Sequence, residues 1–361
     1  MGFRSRTLEG LVVNPQFWKN KKVLLTGHTG FKGSWLCLWL NSLGADLVGL
    51  SLDPEGPKSN YEQIKLSEIM LSLRGDIRNQ DLTEKIIKDH KPEIIFHLAA
   101  QPLVRDSYAD PLTTFQTNVI GTANLIGSAK LSSLLKTIVV VTSDKCYENL
   151  ETNKRYKESD PLGGHDPYSS SKACAEIVSH SYRKSFLNNL NISLATARAG
   201  NVIGGGDWSR DRLIPDLVRA VKSGNEVKIR NPEAIRPWQH VLEPLSGYIN
   251  LAEKLWDEDN YSSAWNFGPK SKDEKNVKWV VNYFLKKFQL ENKWSVDEGV
   301  NPHEAFYLKL DSKKAKKLLD WEPKWNIETA IDCTFDWYQN SFSTKNMREF
   351  SLNQINKFQE D

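Results

Sequence analysis

The sequence predicts an α/β fold built on a doubly wound parallel sheet. Short apolar runs alternate with helical patterns through the first 200 residues, and the runs are rich in β-branched residues without polar alternation. Strands of this kind are buried on both faces, as in parallel sheets covered by helices on either side. A glycine-rich turn directly after the first run, TGHTGFKG at residues 26–33, suits a tight connection from strand to helix and supports the same fold.

The elements follow in chain order. The predicted strands are the apolar runs KKVLLT, ADLVGLSL, EIIFHLAA, TIVVVTSDK and ISLATARAG. The segments with helical apolar spacing are GSWLCLWLNSLGA, LTEKIIKDH, TNVIGTANLIGSAK and DPYSSSKACAE. This alternation implies crossovers between parallel strands, with helices on both faces of the sheet.

Beyond Gly200 the texture of the sequence changes. Glycines 204–206, Trp208 and several prolines break the chain into shorter elements with many aromatic residues. We expect a smaller lobe here that caps a substrate, rather than more of the sheet. The last stretch predicts two helices joined at residues 321–325.

The composition excludes several classes of protein. A net charge of +3 is small against 48 basic and 45 acidic residues, so no field for nucleic acid or a membrane surface is implied. The cysteines are scattered and show no metal-binding spacing, which favours no metal and a reduced, cytosolic compartment. They are Cys37, Cys146, Cys174 and Cys333. Residues 1–20 lack the apolar core of a signal peptide, and no apolar run is long enough to span a bilayer.

Three glycines in the first turn, Gly27, Gly30 and Gly33, predict a phosphate-binding loop. Without side chains in the way, a pyrophosphate can lie on the backbone amides and the positive end of the following helix. The other predicted cofactor contacts in this turn are Thr29, Phe31 and Lys32. A tight turn that binds nothing is the alternative. The turn lies between a strand and an apolar helix, which favours dinucleotide binding.

The dinucleotide fingerprint expects an acidic residue near the end of the second strand, where it holds the ribose hydroxyls. Asp53 lies in that neighbourhood, and Ser51 is the alternative occupant of the position itself. NAD and NADP therefore both stay open. No arginine follows the second strand to receive a 2′-phosphate, which favours NAD.

Further cofactor contacts are predicted after the next strand-like segment and after the strand EIIFHLAA. Asp76 and Ile77 in RGDIR are candidates to border the adenine, with a surface turn as the alternative. Small residues close the strand EIIFHLAA, as needed where backbone passes close to a cofactor. The residues predicted there are Leu98, Ala99 and Ala100, with Gln101 as a substrate contact. We expect His97 to be a core residue and Asn118 to bond backbone in a structural role.

Tyr168 and Lys172 stand one helical turn apart in DPYSSSKACAE. A phenol is a poor base at neutral pH, because its ordinary pKa is about 10. The ammonium of Lys172 on the same helix face is expected to favour the phenolate and to hold a cofactor ribose. The pair predicts hydride transfer with a bound dinucleotide.

The strand TIVVVTSDK delivers a hydroxyl, an acid and an amine at its carboxyl end, where open parallel sheets bind their ligands. These are Ser143, Asp144 and Lys145. A solvated turn is the ordinary interpretation of such a tripeptide. Its position between an apolar strand and the helix of Tyr168 predicts a reacting centre instead.

Five motifs taken in order carry a resemblance to a known family. They are TGHTGFKGSWL, HLAAQ, TSDKCYEN, YSSSKACAE and RAGNVIGGGDW. Over about residues 18–338 the chain resembles the extended short-chain dehydrogenase/reductase family of nucleotide-sugar epimerases and dehydratases. Dehydratases of this family that use TDP-glucose usually carry Asp-Glu after the hydroxyl residue, and the epimerases lack this pair. Asp144-Lys145 departs from both patterns and puts a lysine where a glutamate base is expected.

The resemblance implies a role for each group in the centre. Tyr168 would take the proton of the sugar 4-hydroxyl, to which Ser143 would hydrogen-bond, while hydride passes to NAD. Lys145 would remove the C5 proton, if burial or a nearby positive charge leaves it a neutral amine. Asp144, kept protonated by apolar surroundings, would donate to the departing 6-hydroxyl. The expected activity is a 4,6-dehydration of a nucleotide sugar.

The resemblance also places the sugar nucleotide against the capping lobe. Arg236 is expected on the diphosphate, because a guanidinium forks onto phosphate oxygens. Asn201 is a further substrate contact. Arg212 and Arg230 are weaker candidates, for which a surface ion pair is the alternative. His303 and Glu304 lie near the family's C-terminal substrate segment and are not expected to contact substrate directly.

The resemblance implies a Rossmann domain over residues 18–200, with a returning segment at about 239–267. The substrate-capping lobe is expected over 201–238 and 268–345. Helices near 115–130 and 168–186 resemble the pair that forms a four-helix dimer contact in the family, so a homodimer or homotetramer is expected, with no nucleic-acid or membrane partner. The rival functions are a 4-epimerase, a dehydratase for another nucleotide sugar, and a redox-silent dinucleotide-binding regulator.

Overall fold

A computed structural model describes residues 13–290, 293–299, 305–343 and 346–361. Its longer strands are β1 (Lys22–Thr26), β2 (Asp46–Ser51), β3 (Leu71–Arg74), β4 (Ile94–His97), β5 (Thr137–Val141), β6 (Ser193–Ala199) and β11 (Ala264–Phe267). Two-residue strands are β7 (Val202–Ile203), β8 (Lys228–Ile229), β9 (Ile235–Arg236), β10 (Gln239–His240), β12 (Lys275–Asn276) and β13 (Ser295–Val296).

The α-helices lie between and beyond these strands. In the first half of the chain they are α1 (Pro15–Trp18), α2 (Phe31–Ser42), α3 (Asn60–Gln63), α4 (Gln80–His90), α5 (Val104–Ala109), α6 (Pro111–Phe115), α7 (Gly121–Gly127) and α8 (Pro167–Tyr182). In the second half they are α9 (Leu213–Ser223), α10 (Leu242–Asp257), α11 (Val277–Lys286), α12 (Lys313–Leu319), α13 (Ile327–Ser341) and α14 (Met347–Glu360). Wider π-helical turns extend α6 over Gln116–Ile120 and α8 over Arg183–Leu187.

Seven parallel strands of the described chain form one sheet in the order β11-β6-β5-β4-β1-β2-β3. The strand order reverses between β1 and β4, and open α/β sheets bind ligands at such a reversal, outside the carboxyl ends of the strands. Helices cover both faces of the sheet and enclose two separate apolar clusters. The predicted doubly wound parallel sheet is therefore confirmed.

The chain returns to the sheet after leaving it. β11 pairs in parallel with β6 after the long helix α10. Between these two strands β7 pairs with β10, and β9 pairs with β12, which follows β11. The two helices predicted around residues 321–325 are α12 and α13.

The C-terminal helix α14 was not predicted. Its Phe358 packs edge-on against Trp39 of α2 and against Trp325, with ring centroids 5.7 and 5.1 Å apart. Helix α14 therefore packs on the outside of α2, one of the helices that cover the sheet. No described helix is both long and apolar enough to cross a bilayer.

Candidate active site

Gly27 makes the turn after β1 possible. Its φ of +79° favours glycine, and a Cβ there would lie 2.7 Å from the backbone nitrogen of Ala99. The chain after β4 therefore crosses directly over the turn. A Cβ on Gly33 would collide with the carbonyl oxygen of Gly27. A side chain at either position would fill the open space beside this turn, which forms a glycine cradle.

Helix α2 begins at Phe31 with no side chain capping it, because Gly30 occupies the N-cap. Uncapped amides and the positive end of a twelve-residue helix suit an anionic group. Thr29 bonds the hydroxyl of Ser51 across 2.6 Å and the carbonyl of Leu52, which fixes the turn to the end of β2. The cradle and the uncapped helix fit a dinucleotide pyrophosphate.

The corner at the ends of β2 and β3 differs from the expectation. Ser51 is the last residue of β2, and Asp53 follows it with a side chain that is 88% exposed. An arginine does reach this corner, from the neighbouring strand: Nε of Arg74 lies 3.2 Å from Oδ1 of Asp53. Only the strand pairing of Ser51 with Arg74 reveals it. The statement that no arginine follows β2 holds along the chain but not in space.

Asp76 and Ile77 form a turn after β3. The carboxylate of Asp76 accepts three hydrogen bonds from Arg78, of which the shortest is 2.6 Å. Ile77 is buried, and a Cβ on Gly121 of α7 would touch its side chain. Both residues thus have structural partners of their own at this edge of the sheet.

Gln101 is not among the described residues that line the cavity containing Ser143, Asp144 and Tyr168. Its side-chain nitrogen donates to Leu103 O and Thr114 Oγ1, and its oxygen accepts from the amide of Leu103. The structure therefore gives no support to a substrate contact at this side chain. The physical reason is that the side-chain amide of Gln101 is already hydrogen-bonded to nearby residues of the same segment.

Two residues predicted to be structural are confirmed as such. His97 is buried between the hydroxyls of Thr26 and Thr122, at 2.7 and 3.0 Å, and burial lowers its pKa to about 3. Asn118 accepts from the amide of Gln101 and donates to its carbonyl oxygen and to Ser171. It fixes the backbone that leaves β4 against helix α8.

Tyr168 lies in the first turn of α8, over the carboxyl end of β5. Burial raises its pKa to about 12, while a hydrogen bond with Ser143 and the charge of Arg212 act against that rise. Lys172, which was expected to favour the phenolate from the same helix face, donates from its Nζ to Val141 O at 3.3 Å. Ser143, rather than the ammonium, is the immediate partner of the phenol.

Sequence reasoning missed the group that faces Lys172 from the next turn of the same helix. Glu176 is buried and raises the pKa of Lys172, against burial, which lowers it to about 8. Its two oxygens accept from Arg198 at 2.8 and 2.9 Å and from the hydroxyls of Thr142 and Thr196. The signal was available, because Tyr168, Lys172 and Glu176 repeat every four residues on one face.

Asp144 is buried, and burial raises the pKa of its carboxyl. The rise is opposed by the charge of Lys145, by the hydrogen bond from Ser143, and by the charges of Lys32 and Arg236. Oδ1 accepts from Ser143 Oγ at 3.0 Å, whereas Oδ2 has no hydrogen-bond partner among the described residues. When the carboxyl is protonated, Oδ2 is the oxygen that could donate to a bound molecule.

A cavity of about 960 Å³ lies between the carboxyl edge of the sheet and the segment after β6. The predicted site residues on its wall are Lys32, Ser143, Asp144, Lys145, Tyr168, Asn201, Arg212, Arg230 and Arg236. Cavities of this size accommodate small-molecule ligands. The structure thus brings the reacting centre and the predicted substrate arginines to one space. His303 and Glu304 lie outside the described residues.

The arginines of the cavity are held by different partners. Arg236 is buried, and its Nη1 donates to the carbonyls of Ile235 and Phe306 at 3.0 and 3.1 Å. Arg212 pairs with Asp207 at 2.9 Å. Burial lowers the pKa of Lys32, on the same wall, to about 8. Lys32 and Arg236 both act on the carboxyl of Asp144, so basic groups that could face an anionic ligand lie beside it.

Comparison with known proteins gives one consistent family. A family model described as GDP-mannose 4,6 dehydratase matches residues 24–334. The CDP-glucose 4,6-dehydratase of Salmonella typhimurium is 46% identical over 353 residues, which cover 96% of this chain and 98% of that protein. A UDP-glucose 4-epimerase of Halalkalibacterium halodurans is 24% identical and covers 90% of this chain and 98% of its own.

Solved structures agree with the fold. The crystal structure of dTDP-glucose 4,6-dehydratase from Bacillus anthracis in complex with NAD matches with a TM-score of 0.75 and 25% identity, over 89% of this chain and 97% of that chain. The dTDP-glucose 4,6-dehydratase of Streptomyces venezuelae, solved with NAD and TYD bound, matches with a TM-score of 0.77 at 22% identity. This second match covers 88% of this chain and 97% of that chain. It shows that the two proteins share a fold.

Proposed function

Because the chain belongs to the GDP-mannose 4,6-dehydratase family, we propose that it is an NAD-dependent hydro-lyase acting on CDP-glucose. The reaction oxidises C4, eliminates water across C5 and C6, returns the hydride to C6 and reprotonates C5. The product is CDP-4-dehydro-6-deoxyglucose. The choice of the cytidine nucleotide rests on the relative from Salmonella typhimurium.

One observation carries the elimination step. Asp144 is a buried carboxyl with a raised pKa, and its Oδ2 has no hydrogen-bond partner among the described residues. It directly follows Ser143, which is bonded to Tyr168. A neutral carboxyl beside the group that oxidises a sugar hydroxyl is what loss of a second hydroxyl as water requires. A simple epimerisation at C4 has no use for it.

The glycine cradle and the uncapped start of α2 support NAD in this site. The contacts proposed for the turn are Gly27, Thr29, Gly30, Phe31, Lys32 and Gly33. The contacts proposed beyond it are Asp53, Asp76, Ile77, Leu98, Ala99, Ala100, Tyr168 and Lys172. When bound, the nicotinamide supplies a hydride acceptor for C4 and a hydride donor for C6.

Tyr168 removes the proton of the sugar 4-hydroxyl, with Ser143 bonded to the phenol. With a pKa of about 12, the phenolate is the minor form of Tyr168 at neutral pH. The hydrogen bond with Ser143 and the charge of Arg212 oppose the rise that burial causes.

After oxidation at C4, the C5 proton is acidified by the neighbouring ketone. Lys145 takes this proton, and Asp144 gives its own to the leaving 6-hydroxyl. Lys145 is partly exposed on the cavity wall, and its backbone amide donates to Ser143 Oγ at 3.2 Å. Base and acid are adjacent in sequence, so a single turn of backbone presents both to the same sugar.

For the sugar nucleotide, we assign the diphosphate to Arg236, with Asn201 and Arg212 as further contacts. Arg236 lies on the cavity wall, where the carbonyls of Ile235 and Phe306 accept from its Nη1, and a guanidinium is the side chain best suited to bind a diphosphate. Gln101 is the weakest of the proposed contacts, because its amide is taken by Leu103 and Thr114.

The direct test is incubation with CDP-, TDP-, UDP- and GDP-glucose, with mass spectrometry to score the loss of one water and the gain of a 4-keto group. We expect CDP-glucose to be converted most efficiently. With substrate tritiated at C4, the isotope is expected in the methyl group of the product. Conversion without loss of water would instead indicate the epimerase, and tritium released to the medium would exclude internal hydride return.

We further propose that residues 18–200 and 239–267 form the dinucleotide-binding domain, with 201–238 and 268–345 as the capping lobe. The return of β11 to the sheet supports this division.

A cytoplasmic homodimer or homotetramer is proposed as well. Apolar side chains exposed on α6, α8 and their π-helical extensions support such an assembly. They are Leu112, Ile120, Ile177 and Phe186. Light scattering on Ile177→Asp, expected to give monomers, tests it.

A further inference from the structure

Glu176 of α8 and Arg198 of β6 form a buried ion pair. Both side chains are only 3% exposed, and Nε and Nη2 of Arg198 donate to the two carboxylate oxygens at 2.9 and 2.8 Å. Burial acts to raise the pKa of Glu176, and the hydrogen bonds and charge of Arg198 reverse this, so the pKa lies below its ordinary value. The pair is therefore ionised and fixed in a bidentate geometry.

On one side, this pair holds the residue that leads into the reacting centre. The hydroxyl of Thr142 donates to Oε1 of Glu176. Thr142 lies between the end of β5 and Ser143, so this bond fixes the point at which the chain leaves the strand. Nζ of Lys172, one turn earlier on α8, donates to Val141 O at 3.3 Å. Two successive residues at the end of β5 are thus bonded to one face of α8.

On the other side, the pair holds the residue that leaves the reacting centre. Asp144–Cys146 form a short 3₁₀ turn, and Tyr147 follows it directly. Nη1 of Arg198 donates to the hydroxyl of Tyr147 at 2.8 Å, and the guanidinium carbon lies 4.8 Å from the centre of its ring. This hydroxyl donates in turn to Oδ1 of Asn266 on β11 at 2.7 Å. All three guanidinium nitrogens of Arg198 are therefore engaged, two by Glu176 and one by Tyr147.

We propose that this ion pair is a clamp that positions Asp144 and Lys145 for the elimination. The inference rests on the proposed function. The segment that contains these two residues is bonded to the pair just before the turn, at Thr142, and just after it, at Tyr147. A small misplacement of an acid or a base relative to its substrate slows the reaction strongly. Neither member of the pair is among the described residues that line the cavity, so both act through the turn rather than on the substrate.

The two ends of the clamp are expected to affect different steps. Ser143, which bonds Tyr168, directly follows Thr142. Lys145 lies only two residues before Tyr147. Release of the Tyr147 end should therefore disturb the elimination and spare the oxidation, whereas release of the Thr142 end should disturb both steps.

Variants of the two anchors test this difference. A substitution within the pair itself would leave a buried charge unpaired, which is strongly destabilising. In Tyr147→Phe, which keeps the ring and loses only the hydroxyl, we expect CDP-glucose to reduce the bound cofactor at nearly the wild-type rate, and loss of water to slow at least about tenfold. In Thr142→Val, which keeps the shape of the side chain, we expect both steps to slow at least about tenfold. Stopped-flow absorbance and mass spectrometry measure the two rates.

Tyr156→Phe is the matched control. Tyr156 is also buried, and it stacks on Tyr147 with 5.1 Å between the ring centroids. Its hydroxyl bonds Asn149 and the amide of Leu150 instead of the ion pair. This variant should keep the wild-type ratio of the two rates. Hydrogen–deuterium exchange of the turn, measured by mass spectrometry without sugar nucleotide, gives a second readout and should be faster in Tyr147→Phe but not in Tyr156→Phe.

Several results would overturn the proposal. One is a Tyr147→Phe variant that loses water at the wild-type rate. Another is equal slowing of both steps in that variant, which would mean that the hydroxyl only supports the fold. An equal effect of Tyr156→Phe would assign the positioning to the aromatic stack. A wild type that removes no water from CDP-glucose would instead remove the proposed function, and the exchange of the turn would then still decide whether the ion pair holds it.

Discussion

The Ser143 hydroxyl donates to Oδ1 of Asp144 across 3.0 Å, while Oδ2 of the same carboxyl has no hydrogen-bond partner among the described residues. A buried carboxylate with one bare oxygen is costly, and the protonated form removes most of that cost. The same Ser143 bonds the phenol of Tyr168. One serine therefore ties the proposed acid of the elimination to the proposed base of the oxidation.

Asp144→Asn tests the role of that proton. The amide keeps an oxygen for Ser143 and places a nitrogen near the former Oδ2, but it cannot protonate a leaving hydroxyl. We expect reduction of the bound cofactor by CDP-glucose to persist, and loss of water to fall by about 100-fold or more. Stopped-flow absorbance of the reduced nicotinamide, beside mass spectrometry of the product, separates the two steps. Equal loss of both steps would place Asp144 in the oxidation instead.

Tyr168→Phe is expected to abolish turnover and leave binding of the sugar nucleotide nearly intact. The variant removes the only atom of the side chain that can exchange a proton, and acid–base groups typically contribute about 100-fold to 10,000-fold. Tyr108→Phe on the exposed face of α5 is the control and should keep full activity. The measurements are kcat and the dissociation constant of CDP-glucose. A fully active Tyr168→Phe variant would remove the assignment.

Lys145→Ala separates the second proton transfer from the first. We expect cofactor reduction to proceed, because Tyr168 and Ser143 are unchanged, while exchange of the C5 proton with deuterated water stops. Nuclear magnetic resonance of substrate and product measures the exchange. Lys157→Ala, on the exposed loop that follows, is the control and should exchange normally. Normal deuterium uptake in Lys145→Ala would assign the step to another base.

The sequence predicted the sheet well because its strands are apolar throughout and its turn is marked by glycines. It could not predict that Arg74 reaches the corner of Ser51, since β3 is short, half exposed and twenty residues beyond β2. The sequence also suggested Gln101 as a substrate contact, because it cannot show that the side chain bonds to Leu103 and Thr114. Helix α14 carries too few apolar residues for its period to stand out, although Phe358 anchors it.

Gly27→Ala is expected to lower the affinity for NAD more than about tenfold and to destabilise the fold. The added Cβ meets the backbone of Leu98 and Ala99, which cannot move without shifting β4. Gly56→Ala is a sharp control, because Gly56 has a φ of +87° but no atom within 4 Å of the new Cβ. Backbone strain alone costs about 1–2 kcal/mol. Equal effects of the two variants on NAD affinity and thermal stability would show that the close approach at Gly27 is unimportant.

Glu243, at the start of α10, gives the stability of the fold a pH dependence. Burial raises its pKa to about 8, against the backbone amides of Lys324 and Trp325, which donate to its oxygens at 2.6 to 3.1 Å. The folded chain then binds this proton more tightly than the unfolded chain does. Its stabilising contribution is complete below the ordinary glutamate pKa and is lost as the pH rises toward 8.

Glu243→Gln removes the titration, since the amide is uncharged at every pH. We expect the free energy of unfolding of the variant, relative to the wild type, to increase as the pH rises from about 5 to about 8, by at most about 1.4 kcal/mol per pH unit. Urea unfolding at several pH values measures it, with the exposed Glu233→Gln as a control that stays parallel to the wild type. If Glu243→Gln also runs parallel, the two backbone amides outweigh burial and keep the carboxylate ionised in the folded chain.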